Sequence, residues 1–202
     1  MIVAAEQSTS LHEIAFGDFL AKRSTGTEDA GLTDALSACS LAGIEVISLL
    51  PGWVELRVPS DLAVISPLQE LVTQLEAGLS PEISEAISRA FREMLCNAVE
   101  YGGHFDPAAL VEVRLMRLEH TFICRIKDPG DGFDPSGLDH AAINNPKDNP
   151  IRHASVREEK GLRGGGLGIL LVSQLVDELV YNERHNEVQF VKYLSGIEGD
   201  ER

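Results

Sequence analysis

The chain has 202 residues, an apolar fraction of 44% and a formal charge of -15. That length suits one domain of about 150 residues with an extension, and the apolar content supports a packed core rather than a disordered chain. The acidity argues against a nucleic-acid binder, whose phosphate contacts need clustered Lys and Arg.

Three cysteines (Cys39, Cys96, Cys124) stand far apart in neither disulfide nor zinc spacing, as buried thiols in a reducing compartment would. No basic segment followed by an apolar stretch opens the chain, and no apolar run approaches the ~20 residues of a membrane span. The expectation is a cytoplasmic protein with neither a membrane nor a nucleic acid as partner.

Residues 1–42 are polar and rich in small side chains, with short helices expected near 11–22 and 32–42 and no motif in either. From Ile44 the pattern changes. Two β-rich runs, 44–50 and 53–58, meet across Pro51-Gly52 and are expected to pair as a hairpin at a sheet edge. Leu62, Ile65, Leu68, Leu71, Val72 and Leu75 then recur at helical spacing. Because Pro67 would break a helix interior, that helix starts either at Ser60-Asp61 or at Ser66-Pro67. Gly78 ends it, and Ser80-Pro81 caps and opens the next.

This helix, expected over residues 81–101, has the core stripe Ile83, Ile87, Ala90, Phe91, Met94, Leu95 and Ala98. Glu93, Asn97 and Glu100 project from one side of it. A carboxylate and a carboxamide one turn apart suit a metal ion and a water, although a solvated polar face would read the same way. Asn is a poor helix former, so its place in mid-helix wants a reason. Gly102-Gly103 stop the helix, and alternating runs at 110–118 and 121–127 read as an antiparallel hairpin.

The second strand of that hairpin runs directly into Asp128-Pro129-Gly130-Asp131-Gly132-Phe133. A carboxylate there, beside glycines that allow close approach, suits an amino donor such as that of adenine; an ordinary Asp/Gly turn is the alternative. Residues 134–160 form a long polar stretch with Pro135, Pro146 and Pro150 and the cations Lys147, Arg152, Arg157 and Lys160. So long a stretch with little regular structure is often a lid. Lys160-Gly161-Leu162-Arg163-Gly164-Gly165-Gly166-Leu167-Gly168 then leads into an apolar helix. Glycines feeding a helix N-terminus present N–H groups to a phosphate. The spacing fits neither the P-loop nor the dinucleotide motif. A last hairpin is expected from 180–181 and 187–194, followed by a polar tail from residue 195.

In this order, Glu93-x-x-x-Asn97, Asp128-x-Gly130-x-Gly132-Phe133, a lid and Gly164-x-Gly166-Leu167-Gly168 resemble the N, G1 and G2 boxes of the Bergerat-fold (GHKL) ATP-binding superfamily. The resemblance spans about residues 53–194. Phe91-Arg92-Glu93-Met94-Leu95-Cys96-Asn97-Ala98-Val99-Glu100-Tyr101-Gly102 is most similar to the N box of the anti-sigma-factor serine/threonine kinases. Histidine kinases would carry a dimerising helical hairpin upstream, and gyrase-type ATPases a transducer domain downstream.

The resemblance implies an α+β fold, a two-layer sandwich whose mixed, mostly antiparallel sheet is covered on one face by helices. Residues 43–195 would be the ATP-binding domain, with 1–42 an extension of unknown role, 134–160 the lid and 196–202 a tail. Asn97 would ligate Mg²⁺, and Glu93 would be the general base or would position the attacking hydroxyl. Asp128 would accept from adenine, with Gly130 and Gly132 admitting base and ribose. Gly164, Gly166, Leu167 and Gly168 would meet the phosphates, and Lys160 and Arg163 would reach the γ-phosphate.

The implied activity is phosphorylation of an anti-sigma-factor antagonist (STAS-type) by a kinase that also binds a sigma factor. The alternatives are a non-catalytic ATP-binding module that sequesters a partner, and a histidine-kinase-like catalytic domain acting in trans. The longer lid and unmatched amino-terminal segment depart from a minimal anti-sigma kinase. The family also dimerises commonly, and the run 44–50 is an apolar edge that suits a homodimer.

Overall fold

The computed structural model describes residues 28–161 and 166–194. The helix expected at 11–22 and the tail from 195 lie outside the described residues. Strands β1 (Glu45–Leu50), β2 (Trp53–Pro59), β3 (Leu110–Arg117), β4 (Thr121–Lys127), β5 (Glu178–Tyr181) and β6 (Glu187–Tyr193) form one sheet in the order β1-β2-β3-β4-β6-β5. The sheet was expected to be mixed and mostly antiparallel, and each of its described pairings is antiparallel. The long excursion after β4 returns through the β5–β6 hairpin, which lays β6 against β4 in the opposite sense.

Helices α1 (Glu28–Leu41), α2 (Ile65–Leu75), α3 (Pro81–Asn97), α4 (Arg152–Glu159) and α5 (Gly168–Leu175) complete the described elements, with short 3-10 turns between them. Strand residues alternate in burial, as a sheet covered on one face requires. Val54, Leu56 and Val58, Val111, Val113 and Leu115, and Phe122, Cys124 and Ile126 point into the core. There they meet Leu68, Leu71 and Val72 of α2, Ile87, Phe91 and Leu95 of α3, and Val172 of α5. Helix α1, within the segment read as an extension, buries Leu32, Ala35 and Cys39 in the same core. Its Cys39 thiol donates to the Pro67 carbonyl at 3.6 Å.

Among the described residues no helix lies over the opposite face of the sheet, which is tied by charges. Arg114 pairs with Glu55 at 2.8 Å, Lys127 with Glu112 at 3.2 Å, and Arg125 with Glu187. These pairs are partly exposed, and each contributes about 0–1 kcal/mol.

Local sequence explains the helix boundaries. Pro67 falls in the first turn of α2, where its missing N–H costs no intrahelical bond. A separate 3-10 turn, Leu62–Val64, precedes α2 and is capped by Asp61, whose side chain accepts from Ala63 N at 2.8 Å. Ser80 accepts from Ile83 N at the start of α3, with Pro81 just inside. Helix α5 ends at Leu175, because Val176 turns extended (φ -110, ψ 160) and releases the chain toward β5. Leu179, one turn beyond Leu175 in sequence, therefore lies in a strand.

Residues 134–160 are more regular than expected, since Arg152–Glu159 is helical. That helix has no apolar stripe to betray it in the sequence. Its inward residues are His153 and Arg157, both buried. Asn145 braces it, accepting from His153 N at 2.8 Å through Oδ1 and donating to Pro150 O at 2.6 Å through Nδ2.

Candidate functional site

Glu93 and Asn97 lie one turn apart near the C-terminal end of α3 and are half-buried. Asn97 is the last residue of the α-helical stretch. Beyond it the backbone widens into a π turn, Ala98–Gly102, closed by Gly103 N donating to Ala98 O at 2.8 Å. Such widened turns are frequent at functional sites. The junction gives Asn97 its reason for sitting in a helix.

The π turn carries Gly102 against the end of β4. A Cβ on Gly102 would fall inside the Asp128 side chain, so only glycine lets that carboxylate seat here. Gly130 N donates to Asp128 Oδ1 at 2.8 Å, which fixes the carboxyl in an Asp turn. Burial raises the Asp128 pKa from its ordinary value. Hydrogen bonds from the backbone N–H groups of Gly130 and Asp128 itself oppose the rise, as does the nearby His104. Sequence reading treated Gly102 only as a helix stop; the Gly102-Gly103 doublet was the signal for a close approach.

The start of α5 completes the arrangement. A Cβ on Gly168 would lie 2.8 Å from Glu93 Oε2 and 3.6 Å from Asn97 Nδ2. The first bond along α5 runs from Leu171 N to Leu167 O at 2.8 Å. The N–H groups of Gly168, Ile169 and Leu170 thus precede the intrahelical ladder, and their dipoles favour negative charge. Leu167 is exposed and Gly166 half-buried just ahead of them.

Glu93, Asn97 and Gly168 are therefore neighbours, and Asp128 and Gly130 sit where the continuation of the same helix ends. Gly132 follows on the exposed side of the Asp128 loop. Arg163 and Gly164 lie outside the described residues. Lys160, assigned by the resemblance to the γ-phosphate, donates to Asp139 Oδ1 at 2.7 Å within the segment 134–160, which holds that exposed carboxyl below its usual range. The same segment reaches Gly166 through Ala142 N, which donates to Gly166 O at 2.7 Å. Arg157 Nη1 donates to His140 O at 3.4 Å.

The arrangement suits a nucleotide triphosphate. Backbone approaches closely where side chains would block it, a carboxylate acceptor stands at one end, and a carboxylate and carboxamide face a helix N-terminus at the other. Among the described residues no cluster of three or more His, Cys, Asp or Glu is placed to hold a metal by itself. Mg²⁺ usually takes one or two protein oxygens and completes its shell with phosphates and water, so Asn97, with Glu93 beside it, is a fitting donor set.

No described helix is long and apolar enough to cross a membrane. The chain is similar to the serine-protein kinase RsbW of Staphylococcus aureus. With the proteins of strains JH9 and Newman it shares 27% identity over 146 residues, covering 70% of this chain and 87% of each relative. Residues 58–192 match the histidine kinase-like ATPase domain, a span that holds Glu93, Asn97, Asp128 and Gly168 and all but the first two strands. The six-stranded antiparallel sheet with its helical layer is the α+β architecture of that fold, and the chain belongs to the histidine kinase-like ATPase domain family.

Proposed function

We propose that this protein is an ATP-dependent anti-sigma-factor serine/threonine kinase, which binds a sigma factor and phosphorylates a STAS-type antagonist of that binding. The observation that carries the reading is the approach of Gly168 to Glu93 and Asn97, on the helix whose far end seats Asp128. Similarity to RsbW, a serine-protein kinase by name, favours serine as the acceptor.

Bound MgATP supplies the phosphoryl group and a cation that neutralises its charge. The chain's own residues do the rest. Asp128 accepts from the adenine amino group. Asn97 Oδ1 takes a place in the metal's shell, and the leading N–H groups of α5 stabilise phosphate charge. Glu93 receives the proton of the incoming serine hydroxyl as its oxygen bonds to phosphorus and ADP leaves. The lid closes over the phosphates and excludes water, which would otherwise compete with serine.

Glu93→Gln keeps the shape and removes the base. It should lower phosphoryl transfer to a STAS-type substrate by at least 10²-fold while leaving MgATP affinity within about twofold. Acid-stable phosphoserine should form on the substrate with the unaltered protein. Unchanged transfer in the variant would rule out the catalytic role of Glu93. Acid-labile phosphohistidine would identify a histidine-kinase-like activity instead, and absence of transfer with intact ATP binding would leave a sequestering module.

A further inference from the structure

The turn between β5 and β6 is tied to the Asp128 loop more closely than a surface turn needs to be. Asp128 N donates to Asn186 O at 2.9 Å, and Asn186 Nδ2 donates to Gly130 O at 3.1 Å. One residue thus holds both ends of the Asp128-Pro129-Gly130 step. Asn186 is itself fixed by Asn182, whose Nδ2 donates to Asn186 Oδ1 at 2.8 Å and whose Oδ1 accepts from Asn186 N at 3.1 Å. With its oxygen engaged as an acceptor, the Asn186 carboxamide must present its NH₂ to Gly130.

A second brace lies beside the first. Phe133 N donates to Arg184 O at 3.2 Å. Gly132, at φ +88, lies so close to that carbonyl that any Cβ would overlap it. The Phe133 ring meets Tyr181 edge-on at 5.6 Å and His185 at 5.2 Å, and the Tyr181 hydroxyl lies 3.6 Å from Met94 Sδ on α3. His185 holds a left-handed conformation (φ 58), a strain that persists only when the surroundings enforce it. The turn therefore spans from the Asp128 loop to the helix of Glu93 and Asn97.

We propose that Asn186 is a positioning residue that sets base selectivity, an inference that rests on the nucleotide reading above. The Asp128 carboxyl is oriented by Gly130 N, and the peptide that follows Gly130 is pinned at its carbonyl by Asn186. Releasing that carbonyl lets the loop rotate and takes the carboxylate off the line of a purine 6-amino group. The Asn186→Ala change removes only the side-chain bonds. The Asp128 N–H keeps its acceptor, because the backbone carbonyl of residue 186 remains.

The test is calorimetric titration of ATP, purine riboside 5′-triphosphate (the same nucleotide without the 6-amino group) and inorganic tripolyphosphate, each with Mg²⁺. Asn186→Ala should weaken ATP about 3- to 10-fold, the size of one hydrogen bond. It should shrink the preference for ATP over the deaminated analogue by the same factor and leave tripolyphosphate unchanged. Asn182→Ala loosens the turn without touching Gly130. At a matched drop in melting temperature it should cost less selectivity. Asn186→Asp keeps the size but loses the donor, and should behave like the alanine variant. If all three ligands weaken together, or the ATP preference is unchanged, Asn186 is only a structural brace. If the unaltered protein takes up no nucleotide, the underlying nucleotide reading fails first.

Discussion

At the end of the site proposed to take the base, the Asp128 loop is gripped on two sides by backbone. Gly102 presses against it from the end of α3, and the β5–β6 turn holds it through Asn186 and Arg184. The end proposed to take the phosphates is built differently. Within residues 134–160, Asn144 donates to Pro135 O at 2.5 Å, Asn145 bonds Pro150 and His153, and Lys160 donates to Asp139. Ala142 N of the same segment donates to Gly166 O. On the proposed function, a base site held by these contacts beside a cover formed by residues 134–160 would divide binding from catalysis, with affinity set at the Asp128 loop and commitment to transfer at the cover.

The sharpest way to break that division is to fill the fixed end. Gly102→Ala drives a methyl into Asp128 and should lower MgATP affinity by about 100-fold. Gly137→Ala, a glycine in the lid segment with nothing within 4 Å of its Cβ position, should change affinity by less than twofold. Titration of both variants, with melting temperatures to confirm folding, gives the contrast directly. Similar effects in the two would remove the distinction between the ends.

Loosening the cover should do less. Asn145→Ala removes the brace on His153 and Pro150 and should weaken MgATP about 3-fold, while adenosine, which has no phosphates, binds as before. Equal weakening of both ligands would mean that the lid segment supports the base pocket as well.

The smallest effect on binding is expected from a buried group away from the site. Glu76, at the end of α2, is 5% exposed, and burial pushes its carboxyl up to about 7 despite hydrogen bonds from Ser88 and the charge of Arg117. With the folded pKa above the unfolded one, the native state loses stability as pH rises from about 4.5 to 7 and carries the full penalty above that window. Glu76→Gln should therefore stabilise the fold by about 2 kcal/mol at pH 8 and by almost nothing at pH 4. MgATP affinity should not change. Urea unfolding at the two pH values checks the first expectation, and equal gains at both would show that ionisation is not the cause.

Most strands and the two central helices were legible in the sequence because their signals are local. Alternation marked β3 and β4, Ser80-Pro81 marked the start of α3, and Pro51-Gly52 marked the edge hairpin. Helix α4 was not legible, because it is held by buried His153 and Arg157 and by Asn145 rather than by an apolar stripe. The packing of α1 into the core was missed for a similar reason: Leu32, Ala35 and Cys39, with Leu36 packed against the core beside them, make no clear apolar stripe. Within the site, Glu93, Asn97 and Asp128 stood out by residue type and order. Gly102 as a seat and Asn186 as a clamp depend on contacts between segments far apart in the chain, which no local pattern encodes.

The central claim is that Glu93, Asn97, Asp128 and the start of α5 form one nucleotide site. Calorimetric titration of MgATP into the unaltered protein, Asn97→Ala and Asp128→Asn tests it most directly. The expected result is saturable one-to-one binding that each substitution weakens at least 10-fold. Absence of binding by the unaltered protein, or binding that neither substitution changes, would contradict it.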